Sequence, residues 1–203
     1  MQAAEIELKF PVADPHALQT RLPHLGFHLT TPRSFEHNTL YDTPNRDLRL
    51  KRQILRLREY GGIHTLTHKR IDDSADSDTS RYKIRIETET TVSDPHALAE
   101  IFAQLGYQPV FIYEKYRTEF SIFDSATQST PHLVIDETPI GTYAELEGPT
   151  DWIDRTLADL NVDPATSLTD SYGKLFLDWK QRTGSPAEHL TFAEIASPVL
   201  TSR

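Results

Sequence analysis

The chain contains no cysteine, so it can form neither a disulfide nor a thiolate metal site, and this fits a reducing cytoplasm as its location. Long apolar runs are missing as well. No stretch approaches the roughly 18 apolar residues of a membrane-spanning helix, so no membrane partner is expected. The first residues have neither a basic start nor an apolar core, and no secretory leader is expected. Positive charge is scarce: 21 Lys and Arg against 30 Asp and Glu leave a net charge of −9, which argues against a nucleic-acid partner. What remains is a 203-residue chain, 37% hydrophobic and 25% charged, with the composition of a soluble globular domain and enough length for a sizeable core.

Charge alternates along the chain. In a strand, Glu5, Glu7 and Lys9 share one face, with Ile6, Leu8 and Phe10 on the other. Two carboxylates and an ammonium in line suit a divalent cation and an anion bound together. The pattern recurs at period two. Arg52, Ile54, Arg56 and Arg58 share a face, as do Arg81, Lys83, Arg85, Glu87 and Glu89, then Lys115, Arg117 and Glu119, then Glu145 and Glu147. Strands are expected at 39–41, 52–59, 63–70, 112–123, 133–137 and 142–147, besides the two that open the halves described next. Helices are expected over 151–160 and 171–180, and Gly61-Gly62 marks a hairpin turn. The polar run from Asp72 to Asp78 lacks the Gly and Glu of a calcium loop and reads as a solvated loop.

The chain also repeats itself. Glu5 to Lys9, then Val12-Ala13-Asp14-Pro15-His16-Ala17-Leu18, then Gly26, return as Arg85 to Glu89, then Val92-Ser93-Asp94-Pro95-His96-Ala97-Leu98, then Gly106. Each copy is a charged strand followed by a helix with Asp as N-cap and Pro at its first position, ending at Gly. Phe35-Glu36-His37 aligns with Tyr113-Glu114-Lys115, and Leu66-Thr67-His68-Lys69 with Ala144-Glu145-Leu146-Glu147. Two pseudo-equivalent halves follow, 1–80 and 81–150. About eight strands can close into a barrel, apolar face outward against helices and charged face inward, which removes the sheet edges. A lumen rich in Lys and Arg then needs an anion, and its carboxylates need a cation. A metal–polyphosphate complex answers both, and plain salt bridges are the alternative reading.

These residues resemble the CYTH domain, the triphosphate tunnel metalloenzymes. The likeness lies in Glu5-x-Glu7-x-Lys9, Tyr41-Asp42-Thr43, Leu55-Arg56-Leu57-Arg58, Leu66-Thr67-His68-Lys69, Arg85-Ile86-Glu87, Lys115-Tyr116-Arg117, Ile135-Asp136-Glu137 with Ala144-Glu145-Leu146-Glu147, and Ser171-Tyr172-Gly173-Lys174-Leu175. The motifs come in the family's order over residues 3–180. The resemblance implies an α+β fold: an eight-stranded antiparallel tunnel with helices packed outside, residues 1–180 forming one domain and 181–203 a tail. It implies Mg²⁺ or Mn²⁺ held by Glu5, Glu7, Glu145 and Glu147, with Asp136 and Glu87 assisting. Lys9, Arg56, Arg58, Lys69, Arg85, Lys115 and Arg117 would cradle phosphate oxygens, and Lys9, Glu87, Lys115 and Arg117 would act in catalysis. The implied reaction is attack of water on the terminal phosphorus of a small-molecule triphosphate bound in a basic tunnel.

Three alternatives stand beside hydrolysis of inorganic or nucleoside triphosphate. A class IV adenylate cyclase would use the same phosphate set. A thiamine triphosphatase would be expected to carry Trp where Ile54 stands. A non-catalytic polyphosphate binder would be expected to have lost acidic ligands, and all four Glu of the two Glu-x-Glu pairs are present. Tyr172 is expected to pack the last helix on the barrel. Lys174 is expected either at the tunnel mouth or in solvent. The sequence leaves a homodimer open.

Overall fold

Alternating side chains make strands, and here they make eight. The computed structural model describes residues 2–71, 81–126 and 128–196; the Asp72–Asp78 run and residues 197–203 lie outside the described residues. The strands are β1 (Gln2–Pro11), β2 (His28–Asp42), β3 (Ile54–Tyr60), β4 (Ile63–Arg70), β5 (Lys83–Val92), β6 (Gln108–Ser121), β7 (His132–Thr138) and β8 (Gly141–Glu147). They close in the order β1-β5-β4-β3-β2-β6-β7-β8, every neighbouring pair antiparallel. The helices are α1 (Pro15–Arg21), α2 (Asp47–Leu50), α3 (Pro95–Gln104), α4 (Thr150–Asp159), α5 (Tyr172–Thr183) and α6 (Phe192–Ala196). None of the described helices is long and apolar enough to cross a membrane.

Several strand boundaries differ from the sequence expectation, most of all β2, which runs over His28–Asp42 where only 39–41 was expected, and β6, which runs over Gln108–Ser121 where 112–123 was expected. β3 starts at Ile54 because Arg52 takes a left-handed φ of 56°, which ends any extended run. β5 starts at Lys83, and Arg81 turns outward to pair with Asp154 of α4.

Leu8, Phe10, Leu133, Ile135 and Leu146 point outward from the barrel and pack under Trp152, Ile153 and Leu157 of α4, with Leu22 and Phe27 completing the layer. Each such side chain contributes about 1.5–3 kcal/mol on burial. The core therefore lies outside the barrel wall, and the lumen is left to charged groups.

The duplication is visible in geometry. Asp14 and Asp94 cap α1 and α3 at φ/ψ of −131°/94° and −133°/94°, and Gly26 and Gly106 follow at φ of 89° and 85°. Lys69 stands opposite Glu87 across β4 and β5, and Glu147 stands opposite Glu7 across β8 and β1, the same pairing made once in each half. The alignment of β2 with β6 needs correction by one residue. Asn38 pairs with Arg58 as Arg117 pairs with Asp136. Glu36 therefore corresponds to Lys115 and not to Glu114. A one-residue slip reverses the face: Glu36 and Lys115 both point into the lumen, and Glu114 points out. Equivalent strands are also neighbours, β1 beside β5 and β2 beside β6. A pseudo-twofold axis thus crosses the barrel between Glu5 and Arg85 on one wall and between Glu36 and Lys115 on the other.

Candidate functional site

The barrel encloses a cavity of about 660 Å³. Among the described residues, seven bases (Lys9, Arg56, Arg58, Lys69, Lys83, Lys115, Arg117) and seven carboxylates (Glu5, Glu7, Glu87, Glu89, Glu119, Glu145, Glu147) line it. The lumen therefore mixes acids and bases in comparable numbers rather than being simply basic, a correction to the expected basic tunnel. The physical reason is the period-two alternation itself, which delivers acids and bases to the same face.

Three carboxylates converge. Oxygens of Glu5, Glu7 and Glu147 lie within 4.8 Å of one another. Lys69 donates to Glu5 at 2.7 Å and to Glu87 at 3.2 Å, and Lys83 pairs with Glu7. Burial pushes the Glu147 carboxyl up to about 8, with Glu5, Glu145 and Glu7 adding repulsion that Arg117 does not cancel. Glu5 is also raised, chiefly by burial against the opposing pull of Lys69. Burial acts on Glu7 in the same sense, but Lys83, Lys9 and Lys69 together outweigh it and the group is lowered. Three acids held this close carry a proton when no cation is present, and a divalent ion with oxygen ligands fits the donor set.

A pH dependence follows. The folded chain holds a proton on Glu147 that the unfolded chain releases near 4.5. Its contribution to stability is complete below about 4.5, declines as pH rises and is gone above about 8. In chelator, thermal scans across that interval should show the decline, and Glu147→Gln should flatten it. The lowered acids Glu7, Glu36 and Glu145 act at lower pH, and Glu5, raised in the same sense as Glu147, supplies the slope that remains in the variant. Mn²⁺ affinity should rise across the same interval, because the ion displaces the proton.

A second cluster is buried and closely paired, with only the Glu36 Oε2 among its carboxylate oxygens lacking a hydrogen bond. Arg117 donates to both oxygens of Asp136 at 2.7 and 2.6 Å and to Glu145 at 2.7 Å. Lys115 donates to Asp136 at 2.8 Å and lies 3.4 Å from Glu36. The Tyr172 hydroxyl donates to Asp136 at 2.6 Å. Burial alone would raise Glu36, but Lys115 and Arg117 hold it down to about 2. Asp136, expected to assist the metal, stands apart from the three-carboxylate group because these bases and the phenol occupy its oxygens. Glu145 likewise accepts from Lys9 at 2.8 Å and lies outside that group, though it lines the cavity.

Other expected residues fall as follows. Lys9 also donates to the Asp170 carbonyl at 3.0 Å and sits 4.4 Å over the Tyr172 ring. Arg56 reaches the Tyr113 hydroxyl and Thr67, each at 3.3 Å, and Glu87 at 3.9 Å; Arg58 reaches Glu89 at 3.7 Å. The Nε groups of Arg56 and Arg58 are buried without a hydrogen-bond partner. Arg85 shares the face of β5, but its guanidinium donates to the Ile84 carbonyl, and it is not among the cavity-lining residues. Lys174 is a solvent-side residue paired with Asp178. Ile54 lines the cavity where a stacking Trp was considered. The sequence reading missed Glu36, Tyr113 and His132 as lumen groups. The period-two step from Glu36 to Asn38 was the available signal for the first.

Comparison with known proteins agrees with this geometry. The model of the CYTH domain matches residues 3–158. A candidate adenylate cyclase of Methanocaldococcus jannaschii is 25% identical over 159 residues, 77% of this chain and 79% of that protein. Among solved structures, a candidate adenylate cyclase of Vibrio parahaemolyticus superposes with a TM-score of 0.69 at 22% identity, covering 85% of this chain and 97% of that one. A candidate adenylyl cyclase from Hippeastrum, described as having a dominant triphosphatase activity, gives 0.57 at 17% identity, covering 88% and 96%.

Proposed function

This chain belongs to the CYTH domain family, and on that premise we propose that it hydrolyses a small-molecule triphosphate taken into the barrel with Mg²⁺ or Mn²⁺. One observation carries the reading: three convergent carboxylates share the barrel cavity with guanidinium groups whose buried Nε donors lack partners. Charge sharpens it. A triphosphate alone would set its full negative charge against the carboxylates of the lumen, and a divalent ion bound with it offsets part of that charge.

In this reading Glu5, Glu7 and Glu147 would hold the cation, which would supply charge neutralisation to the phosphates. Glu145 stands beside them and fixes Lys9 and Arg117. Lys9, Arg56, Arg58 and Lys69 meet the phosphate oxygens. Lys115 and Arg117, locked by Asp136, present fixed positive charge to the transferring group at no cost of reorganisation. Glu87 is lowered, burial being outweighed by Lys69 and Arg56, so it remains a charged acceptor that orients the attacking water. Water adds to the terminal phosphorus, the bridging P–O bond breaks with its electron pair passing to the departing diphosphate portion, and the proton lost by water ends on the phosphate products, one of which is orthophosphate. The dissociative character of such a transfer asks for positioning and charge more than for a strong base. The activity described for the Hippeastrum protein supports hydrolysis over cyclisation.

The test is product analysis with inorganic triphosphate, ATP and thiamine triphosphate in Mg²⁺ or Mn²⁺. Orthophosphate release abolished by chelator is expected. Cyclic AMP with pyrophosphate from ATP would replace this reading by a cyclase, and triphosphate binding without any product would make the chain a binding module.

A further inference from the structure

We infer that residues 185–196 support the binding site, as a segment bridged to β6 at Leu190 that fixes Tyr113 and, through it, the Arg56 guanidinium. This rests on the triphosphate reading above and concerns which residues position its ligand. The segment lies beyond the residues that the family model matches.

The reason for this bridge is a gap in the barrel wall. β7 ends at Thr138, and its pairing with β6 begins only at Tyr116. The β6 backbone before Tyr116 would be left with an open edge, which is unfavourable for buried peptide groups. Leu190 takes that edge in parallel register with Tyr113. Its amide donates to the Ile112 carbonyl at 3.0 Å, and its carbonyl accepts from the Glu114 amide at 2.9 Å. Side chains reinforce the contact. The Ile112 amide donates to His189 Nδ1 at 3.3 Å, and the Phe192 amide donates to the Glu114 carboxylate at 2.9 Å. The Glu194 carboxylate closes the segment on itself by accepting from the Glu188 and His189 amides at 2.7 and 2.9 Å. Leu190 is 0% exposed and packs with Ala187, Phe176 and Tyr172.

Tyr113 is the residue between the two clamped positions. Its side chain leaves the opposite way, into the lumen, where Arg56 Nη1 donates to its hydroxyl at 3.3 Å and its ring lies 5.9 Å from that of Tyr172. With its flanking peptides held, the phenol is a fixed point for a guanidinium whose other contacts, Thr67 and Glu87, are at 3.3 and 3.9 Å. Tyr113 is thus a positioning residue, and the segment bridged at Leu190 is what holds it.

The experiment is a double-mutant cycle on steady-state hydrolysis of inorganic triphosphate in Mn²⁺: the full chain, the chain ended after Gly184, Tyr113→Phe, and both changes together. Each single change should lower kcat/KM about tenfold, mainly through KM, as loss of a hydrogen bond to a charged group does. The combination should cost no more than either alone, a non-additivity that a purely structural tail would not produce. If the shortened chain does not unfold cooperatively, Leu190→Ala replaces it in the same cycle. Unchanged KM on shortening, or additive losses near a hundredfold, would overturn the inference. A full chain with no turnover of any triphosphate would overturn the functional reading and this inference with it.

Discussion

Glu147→Gln should lower metal-dependent triphosphate hydrolysis by about 10²–10³-fold, the several kcal/mol that a correctly held divalent ion supplies, and leave the fold intact. The substitution is close to isosteric with the form that Glu147 takes without metal, since burial and its acidic neighbours keep that carboxyl protonated up to about pH 8. The variant's thermal midpoint in chelator should therefore equal or exceed the parent's at pH near 8, while its gain in midpoint on adding Mn²⁺ disappears. Loss of activity together with loss of the metal-induced shift, at undiminished metal-free stability, separates a ligand from a packing residue. Thermal scans with and without Mn²⁺, alongside initial rates, make the measurement.

The opposite outcome is expected at Asp136. This carboxylate is fully buried and accepts from Arg117, Lys115 and Tyr172 together. Asp136→Ala leaves two buried cations short of their main partner, with Glu36 and Glu145 as the remaining acids. Breaking a buried pair from one side costs about 3–5 kcal/mol. In a chain of this length that lowers the midpoint by roughly 6–20 °C, with or without metal. Activity falls as well, because Lys115 and Arg117 lose their fixed direction. A fall in midpoint under about 2 °C would contradict the structural account of this cluster.

Much of this was legible in the residue order. Strict alternation at Glu5 to Lys9 and at Arg56 to Arg58 placed charge on one face, and the repeated Asp-Pro helix starts exposed the two halves. The barrel follows from both, and the family resemblance adds the triphosphate and the metal. Less legible was the division of labour inside the lumen. Glu5, Glu7, Asp136, Glu145 and Glu147 look alike as a set of acids, but only cross-strand register tells which of them meet one another and which meet Arg117. Register across β2 and β6 slipped by one residue from the apparent alignment, and that hid Glu36. The chain after Gly184 shows no period, because it pairs through a single residue, Leu190, to an edge that β7 leaves open.

The corrected alignment also gives the duplication a physical sense. Lys69 corresponds to Glu147, Glu36 to Lys115, Arg58 to Asp136 and Glu5 to Arg85. Opposite charges thus occupy equivalent positions about the pseudo-twofold axis. The three-carboxylate group Glu5, Glu7 and Glu147 has as its counterpart Arg85, Glu87 and Lys69. A symmetric scaffold has become a polar one, with a place for a cation in one half-site and more positive charge in the other.

The central claim is that cation and triphosphate bind this lumen together or barely at all. Calorimetric titration of imidotriphosphate, which resists hydrolysis, into the full chain tests it most directly, once in Mn²⁺ and once in chelator. The account predicts an affinity at least about a hundredfold tighter with the ion, the upper range of coupling between linked sites, and the same gain in Mn²⁺ affinity when the anion is present. Equal affinity in chelator would contradict it, because it would mean that the bases bind the anion while the three carboxylates stand idle.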